Sequence, residues 1–200
     1  SGVMAPKANL FMEVSGGIST QKAAVQLESA SIDPRVVATI LHMDTPGGNV
    51  LGVPEFGDAI FQLSQRKPII TYSDGQLCSG GYWSGAAANA VYISGPVVQV
   101  GSIGVVHSRS YNPNSPVVEE NITAGRYKRL VTSKEPYSAE SRAIVQADVD
   151  YVYSLFVDTV AKYRSTTSEQ VLENMADGRV FRGQQAIDAG LVDGVSTLDE

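Results

Sequence analysis

Two nucleophilic side chains stand next to each other at Cys78 and Ser79, followed by two glycines and an alanine-rich stretch. Residues 68–74 have the β-branched composition of a strand, and 79–90 is expected to be a helix. A hydroxyl at the start of a helix lies in the positive potential of the helix N-terminus, which favours developing negative charge. Serine is also a preferred capping residue, so capping alone would explain Ser79.

A second pair of glycines, Gly47 and Gly48, follows a buried strand predicted at 36–44. Ligands of open α/β sheets bind at the carboxyl ends of the strands. Because glycine has no Cβ, its backbone N–H groups can approach a substrate oxygen closely. Such donors form oxyanion holes, although a plain turn would use the same residues.

A serine hydroxyl becomes a good nucleophile only when a base takes its proton. His42 lies inside an apolar strand and is expected to be a core histidine, whereas His107 opens a polar loop and is the better candidate. Lysine is the other known base. It must lose its proton near pH 7, about 3 units below its reference pKa of about 10.4, which burial can supply. Position along the chain does not choose between Lys128 and Lys134.

The elements that must position these residues alternate between strand and helix. Strands are predicted at 9–16, 36–44, 68–74, 90–94, 97–106 and 121–131. Helices are predicted at 19–31, 50–66, 79–90, 138–164, 167–176 and 183–190. The segment 107–121 is expected to be a loop. This order predicts parallel strands joined by right-handed crossovers.

Composition limits the class of protein. A chain of 200 residues that is 43% hydrophobic can build one sizeable core, so a single domain over 1–200 is expected, with 1–8 a flexible or appended end. The net charge of −6 argues against a nucleic-acid partner. No apolar run is long enough for a membrane helix. Two histidines and one cysteine make a zinc site or a disulfide framework improbable.

Six segments, taken together and in order, resemble the signal peptide peptidase (protease IV) family of serine peptidases, which includes phage capsid-maturation proteases. They are DTPGGNV at 44–50, SGGYWSGAAANAVYIS at 79–94, GSIGVV at 101–106, AGRYK at 124–128, FVDTVAKYRS at 156–165 and ADGRVFRGQQAIDAGLVDGV at 176–195. The segment 107–121, which precedes the AGRYK motif, departs from the family pattern.

The resemblance implies an α/β, Clp-protease/crotonase-like fold with mostly parallel strands and crossover helices. It makes Ser79 the nucleophile and Lys128 the base, with Ser102 positioning the lysine amine. The oxyanion hole falls on Gly48 and Gly80, with Gly47 beside them. Cys78 is then a small apolar residue that packs behind the nucleophile.

The implied function is that of a serine endopeptidase that acts on extended polypeptide, without metal or cofactor, as a homo-oligomer. The tail favours the phage capsid-maturation type, with capsid or scaffold proteins as partners in the host cytoplasm or virion precursor. The alternative is a signal peptide peptidase, which would be associated with a membrane if an anchor has been truncated from the native protein. Two alternative functions lie outside the family. One is a non-catalytic scaffold domain, and the other is a crotonase-like acyl-CoA enzyme, whose reaction needs neither a nucleophile nor a lysine base.

Overall fold

A computed structural model describes residues 1–7, 14, 16–114, 116, 120–132 and 135–199. The chain divides into two compact units: Ser1–Gly104 with Leu155–Glu200 form the first, and Val105–Ser154 form the second. Whether both belong to one peptidase domain over 1–200, as expected from the sequence, stays a prediction.

The described strands and helices alternate along most of the chain. The strands are β1 (Met4–Ala5), β2 (Ile18–Ser19), β3 (Thr39–His42), β4 (Ile69–Ser73), β5 (Gln76–Cys78), β6 (Ala90–Ile93), β7 (Gln99–Gly101), β8 (Val180–Arg182) and β9 (Gly194–Val195). The helices are α1 (Thr20–Ile32), α2 (Val53–Ser64), α3 (Gly80–Gly85), α4 (Ala139–Tyr163), α5 (Ser168–Asn174) and α6 (Gln184–Asp188).

The sheets of the first unit are mostly parallel, as expected for a mixed α/β protein. The largest has the order β3-β4-β6-β9, and all of its strand pairs are parallel. A second sheet has the order β5-β7-β8, in which β5 and β7 are parallel and β8 is antiparallel. The short pair β1-β2 is parallel as well. The carboxyl ends of β5 and β7 therefore lie side by side.

Four predictions of elements need comment. The strand predicted at 97–106 ends at Gly101, because Ser102 takes a φ of +51° that no regular strand allows. The helix predicted at 79–90 ends at Gly85. The strand predicted at 121–131 is wrong, since this segment contains a turn closed by a 3.1 Å hydrogen bond from Lys128 N–H to the Gly125 carbonyl. Most of the strand predicted at 9–16 lies outside the described residues.

The helix that follows Ser79 is anchored deep in the first unit. Every residue of α3 is buried. The Trp83 ring stacks on Phe156 with centroids 4.3 Å apart, and the Tyr82 hydroxyl donates a 2.8 Å hydrogen bond to the Leu191 carbonyl. Aromatic stacking and a satisfied buried hydroxyl both stabilise such a contact. The start of α3 is therefore held in one position relative to its neighbours.

The long helix α4 is the longest element of the described chain. Its last residue, Tyr163, donates a 2.9 Å hydrogen bond from its hydroxyl to the Asp58 carboxylate on α2. Where the structure describes the chain, no helix combines the length and the apolar composition that crossing a membrane requires.

An ion pair ties the segment after α4 to the sheet. Arg164 donates two 2.9 Å hydrogen bonds to the two carboxylate oxygens of Asp193, and Val91 N–H donates a third, of 2.7 Å. Burial raises the pKa of the Asp193 carboxyl, but the bonds from Arg164 and Val91 outweigh that effect and leave it below its ordinary value of 3.8. The ionised carboxylate is thus the form that the fold stabilises.

We expect Asp193→Asn to lower the free energy of unfolding by about 1–2 kcal/mol at pH 7, a discounted value because the Asp193 side chain is 37% exposed. A carboxyl with a lowered pKa in the fold stabilises above its unfolded pKa and loses that contribution as pH falls through the folded pKa. The difference between wild type and variant should therefore shrink from pH 7 to pH 3 in urea titrations. Asp188→Asn, at an exposed carboxylate, is the matched control; an equal loss in both variants would contradict the role of the ion pair.

Candidate active site

Ser79 occupies a strained turn between β5 and α3. Its φ and ψ are +51° and −126°, the conformation of the first central residue of a type II′ turn, which glycine normally takes. A non-glycine residue held there costs on the order of 1–3 kcal/mol. Its backbone N–H donates a 2.8 Å hydrogen bond to the Gly101 carbonyl at the end of β7. The surrounding strands thus impose the conformation of Ser79.

The Ser79 hydroxyl does not cap the helix, which corrects the expectation that it would. Among the described residues it makes no capping hydrogen bond to the first turn of α3, although Ser79 stands at the N-cap position. By contrast, Ser19 caps α1 by accepting a 3.2 Å hydrogen bond from Lys22 N–H. Ser79 is half-buried, so its hydroxyl is partly open to solvent and not committed to the backbone.

The glycine pair of the other strand end lies directly against Ser79. A Cβ placed on Gly47 would lie 2.6 Å from the Ser79 Cβ and 2.9 Å from the Gly80 nitrogen. Gly47 also has a φ of +101°. Only glycine therefore fits at this position, and the proximity expected from strand order is present.

Two backbone N–H groups near Ser79 have no partner in the described part of the chain. Met4 pairs with the segment around Gly48 by donating to the Gly47 carbonyl and accepting from Asn49 N–H, at 2.9 and 3.0 Å. Gly48 N–H therefore points away from β1. Gly80 N–H opens α3 and has no helical acceptor. A Cβ placed on Gly80 would lie 3.8 Å from the Gly48 nitrogen, so the two donors are neighbours.

Ser102 stands beside Ser79 at the matching position of the next strand. Cys78 and Gly101 are partners in the parallel register of β5 and β7, so Ser79 and Ser102 each follow by one residue. Both serines have a φ of +51°. Ser102 N–H donates a 2.8 Å hydrogen bond to the Arg179 carbonyl, which fixes its backbone. The structure thus brings together Ser79, Ser102 and the glycines at 47, 48 and 80.

The neighbouring thiol of Cys78 is poorly suited to nucleophilic attack. Its side chain is buried, with the residue 5% exposed, and its Sγ lies 3.6 Å from the Gln99 carbonyl. Burial raises the pKa of the Cys78 thiol, which disfavours the reactive thiolate. These observations agree with the expectation that Cys78 packs behind the serine.

Lys128 belongs to the second unit, in the turn that replaces the predicted strand, and it is exposed within that unit. Arg126, two residues before Lys128, pairs with Glu140 at the start of α4, at 2.6 Å. Of the other lysines, Lys67 donates to the Asp33 carbonyl at 2.6 Å and Lys162 pairs with Asp58 at 3.6 Å. Lys134 lies outside the described residues.

His42 occupies a position that the sequence did not predict. His42 is exposed at the end of β3, where its Nε2 lies 2.8 Å from a carboxylate oxygen of Asp74. It is therefore not the core histidine that its apolar strand suggested, and the partner carboxylate comes from the end of the next strand. In the described chain it makes no hydrogen bond to Ser79. His107 is exposed in the second unit.

Sequence reasoning gave no role to the two residues that precede Pro46, although it singled out their motif. An Asp44 carboxylate oxygen accepts a 2.9 Å hydrogen bond from Gln76 N–H at the start of β5. Thr45 is fully buried, and its hydroxyl accepts from Gly47 N–H at 3.1 Å. Across the described residues, no group of three or more His, Cys, Asp or Glu side chains could hold a metal ion.

Comparison with known proteins decides the family. Residues 62–200, more than half of the chain, match peptidase family S49. The chain belongs to this family. The match includes Ser79, Gly80, Ser102 and Lys128, whereas Gly47 and Gly48 precede it.

S49 relatives of cellular and viral origin are similar to this chain at nearly equal identity. Protease 4 of Salmonella typhi is 28% identical over 192 residues, covering 94% of this chain and 31% of the relative. The chloroplastic serine protease SPPA of Arabidopsis thaliana is 30% identical over 197 residues, which cover 92% of this chain and 29% of the relative. Capsid assembly protease C of Escherichia phage lambda is 29% identical over 201 residues, which cover 96% of this chain and 44% of the relative. The chain thus spans less than half the length of each of these relatives.

Proposed function

We propose that this protein is a serine endopeptidase that hydrolyses peptide bonds of extended polypeptides through a Ser79–Lys128 dyad. The observation that carries the proposal is the strained turn at Ser79, whose uncapped hydroxyl stands beside two unpartnered N–H groups. Strain at a strand-to-helix turn is how hydrolases present a nucleophile at the edge of a sheet. Membership of family S49 supports the same activity.

Each residue has a distinct part in the reaction. The Ser79 oxygen attacks the carbonyl carbon of the substrate while its proton passes to the Lys128 amine, which later protonates the leaving amine. N–H groups of Gly48 and Gly80 stabilise the oxyanion, and Gly47 supplies the space between them. Water then hydrolyses the acyl-enzyme by the same steps in reverse. Ser102 orients the lysine amine through its hydroxyl, a role taken from the resemblance.

The finer architecture belongs to the same proposal. Parallel strands with glycine donors at their carboxyl ends support a Clp-protease/crotonase-like fold within a single peptidase domain. The active form is a homo-oligomer, which restricts access to unfolded chains. Light scattering at the concentrations used for activity measurements tests this assembly.

The biological role that we propose is capsid maturation, with capsid or scaffold proteins as substrates. The name of the phage lambda relative, a capsid assembly protease, supports this role. Degradation of cleaved signal peptides is the alternative, and it is supported by the name of an Enterococcus faecium relative, a putative signal peptide peptidase. Signal peptides have an apolar core. Preference for apolar peptides over hydrophilic unfolded polypeptide would therefore favour the alternative.

The test is to incubate the protein with an unfolded polypeptide and, separately, with a fluorophosphonate, which reacts with activated serines. We expect fragments in the first mixture and a covalent adduct on Ser79 in the second, both located by mass spectrometry and both unaffected by EDTA. Inactivation by a thiol reagent with the adduct on Cys78 would contradict the assignment of the nucleophile. Neither fragments nor an adduct from the assembled protein would favour the non-catalytic scaffold.

A further inference from the structure

The Thr45 side chain contacts both segments that carry the unpartnered N–H groups. One segment is the glycine pair at 47 and 48, and the other is the first turn of α3. The residues Gly48–Val50 are exposed, and backbone hydrogen bonds join this part of the chain to Met4. Thr45 itself is 0% exposed. A fully buried hydroxyl needs hydrogen-bond partners, and those of the Thr45 hydroxyl are backbone atoms of Gly47.

The Thr45 hydroxyl closes a small ring around Pro46. Its oxygen accepts a 3.1 Å hydrogen bond from Gly47 N–H and lies 3.4 Å from the Gly47 carbonyl oxygen. Serine and threonine hydroxyls stabilise turns by bonding to the backbone two residues further along the chain. This bond also occupies Gly47 N–H, so the peptide that follows presents Gly48 N–H as the donor of this segment.

The methyl group and backbone of Thr45 contact the segment of the nucleophile. A Cβ placed on Gly81 would lie 2.4 Å from the Thr45 Cγ2, so this methyl group packs directly on the first turn of α3. The Thr45 backbone pairs with β5: its N–H donates to the Gln76 carbonyl at 2.6 Å, and its carbonyl accepts from Cys78 N–H at 3.1 Å. Thr45 thus lies between the two donor segments, and it is hydrogen-bonded to Cys78, the residue before Ser79.

We propose that Thr45 is a positioning residue for the oxyanion hole. Its hydroxyl fixes the orientation of the Gly47–Gly48 peptide, while its methyl group packs on the first turn of α3. This inference rests on the proposed peptidase function. A small displacement of a reacting or stabilising group costs up to about 100-fold in rate. The contribution of Thr45 should therefore be seen in the chemical step rather than in substrate binding.

Two substitutions separate the hydroxyl from the methyl group. Thr45→Val keeps both γ positions filled but removes the hydroxyl, and Thr45→Ser keeps the hydroxyl but removes the methyl group. We expect Thr45→Val to lower kcat about 10- to 100-fold with KM within about twofold of wild type. Thr45→Ser should keep kcat within about threefold. The rate of fluorophosphonate labelling at Ser79 should follow the same order.

Hydrogen exchange at Gly47 gives a readout that does not depend on activity. It should be faster in Thr45→Val than in Thr45→Ser, because only the former loses the hydroxyl acceptor. If Thr45→Val does not fold, Thr45→Ala against Thr45→Ser repeats the comparison with a smaller side chain. Equal kcat in the variants with and without the hydroxyl, or losses that only follow melting temperature, would overturn the role of Thr45. A wild type that neither cleaves nor labels would instead overturn the peptidase function itself, and Thr45's role with it.

Discussion

Replacement of Ser79 by alanine is expected to abolish peptide hydrolysis while the protein stays folded. The substitution removes the attacking oxygen but keeps the Cβ that packs against Gly47, so the turn, the strands and α3 retain their contacts. Loss of a serine nucleophile lowers kcat by on the order of 10⁴-fold or more in peptidases that act through a catalytic base. The measurement is the rate of fragment formation from an unfolded polypeptide, with circular dichroism to confirm folding.

Four variants control this experiment. Cys78→Ser should keep most of the activity, because the buried thiol takes no part in the reaction. Lys128→Ala should be as inactive as Ser79→Ala, and Lys128→Arg should not restore activity, since arginine stays protonated. Ser79→Gly should also be inactive, yet more stable than Ser79→Ala by about 1 kcal/mol, because glycine takes the positive φ without strain. Cleavage that persists in Ser79→Ala and disappears in Cys78→Ser would assign the nucleophile to the thiol.

Replacement of Gly47 by alanine is expected to lower kcat/KM by about 10²- to 10³-fold, comparable to the loss of one oxyanion donor. The new methyl group would lie 2.6 Å from the Ser79 Cβ and 2.9 Å from the Gly80 nitrogen. Something must move to relieve these contacts, and the nearest groups are Ser79, the proposed nucleophile, and a proposed donor. Overpacking of this kind also destabilises a buried site by about 1–3 kcal/mol.

Gly178→Ala separates this steric effect from backbone strain. Gly178 has a φ of +85°, against +101° for Gly47, but a Cβ there would meet nothing within 4 Å. Both substitutions place alanine at a positive φ, whereas only Gly47→Ala crowds the nucleophile. We expect Gly178→Ala to lose stability but to keep kcat/KM within about threefold of wild type. Equal losses of activity in the two variants would show that general destabilisation, and not crowding of Ser79, causes the effect.

The parts of the fold that local pattern controls were predicted well from the sequence. The strands at 39–42, 69–73 and 90–93 lie within the predicted ones, since each is an apolar or β-branched run next to a turn. The helices at 20–32 and 53–64 were also placed to within a few residues. Strand β5 was missed because its three residues are too few to show a period. The strand predicted at 121–131 was wrong because Gly125–Lys128 form a turn, although the segment also contains residues typical of strands, such as Ile122 and Tyr127.

The sequence by itself determined the mixed α/β class, the serine peptidase family and the motifs that carry the candidate residues. These depend on residue type and order along the chain, which the sequence contains directly. Only the tertiary structure decided that the Ser79 hydroxyl is uncapped, that His42 pairs with Asp74, and that Thr45 lies between the glycine pair and α3. These features depend on backbone angles and on contacts between strand ends that are 30 or more residues apart in sequence. Local sequence does not encode such contacts, because packing of the whole unit selects them.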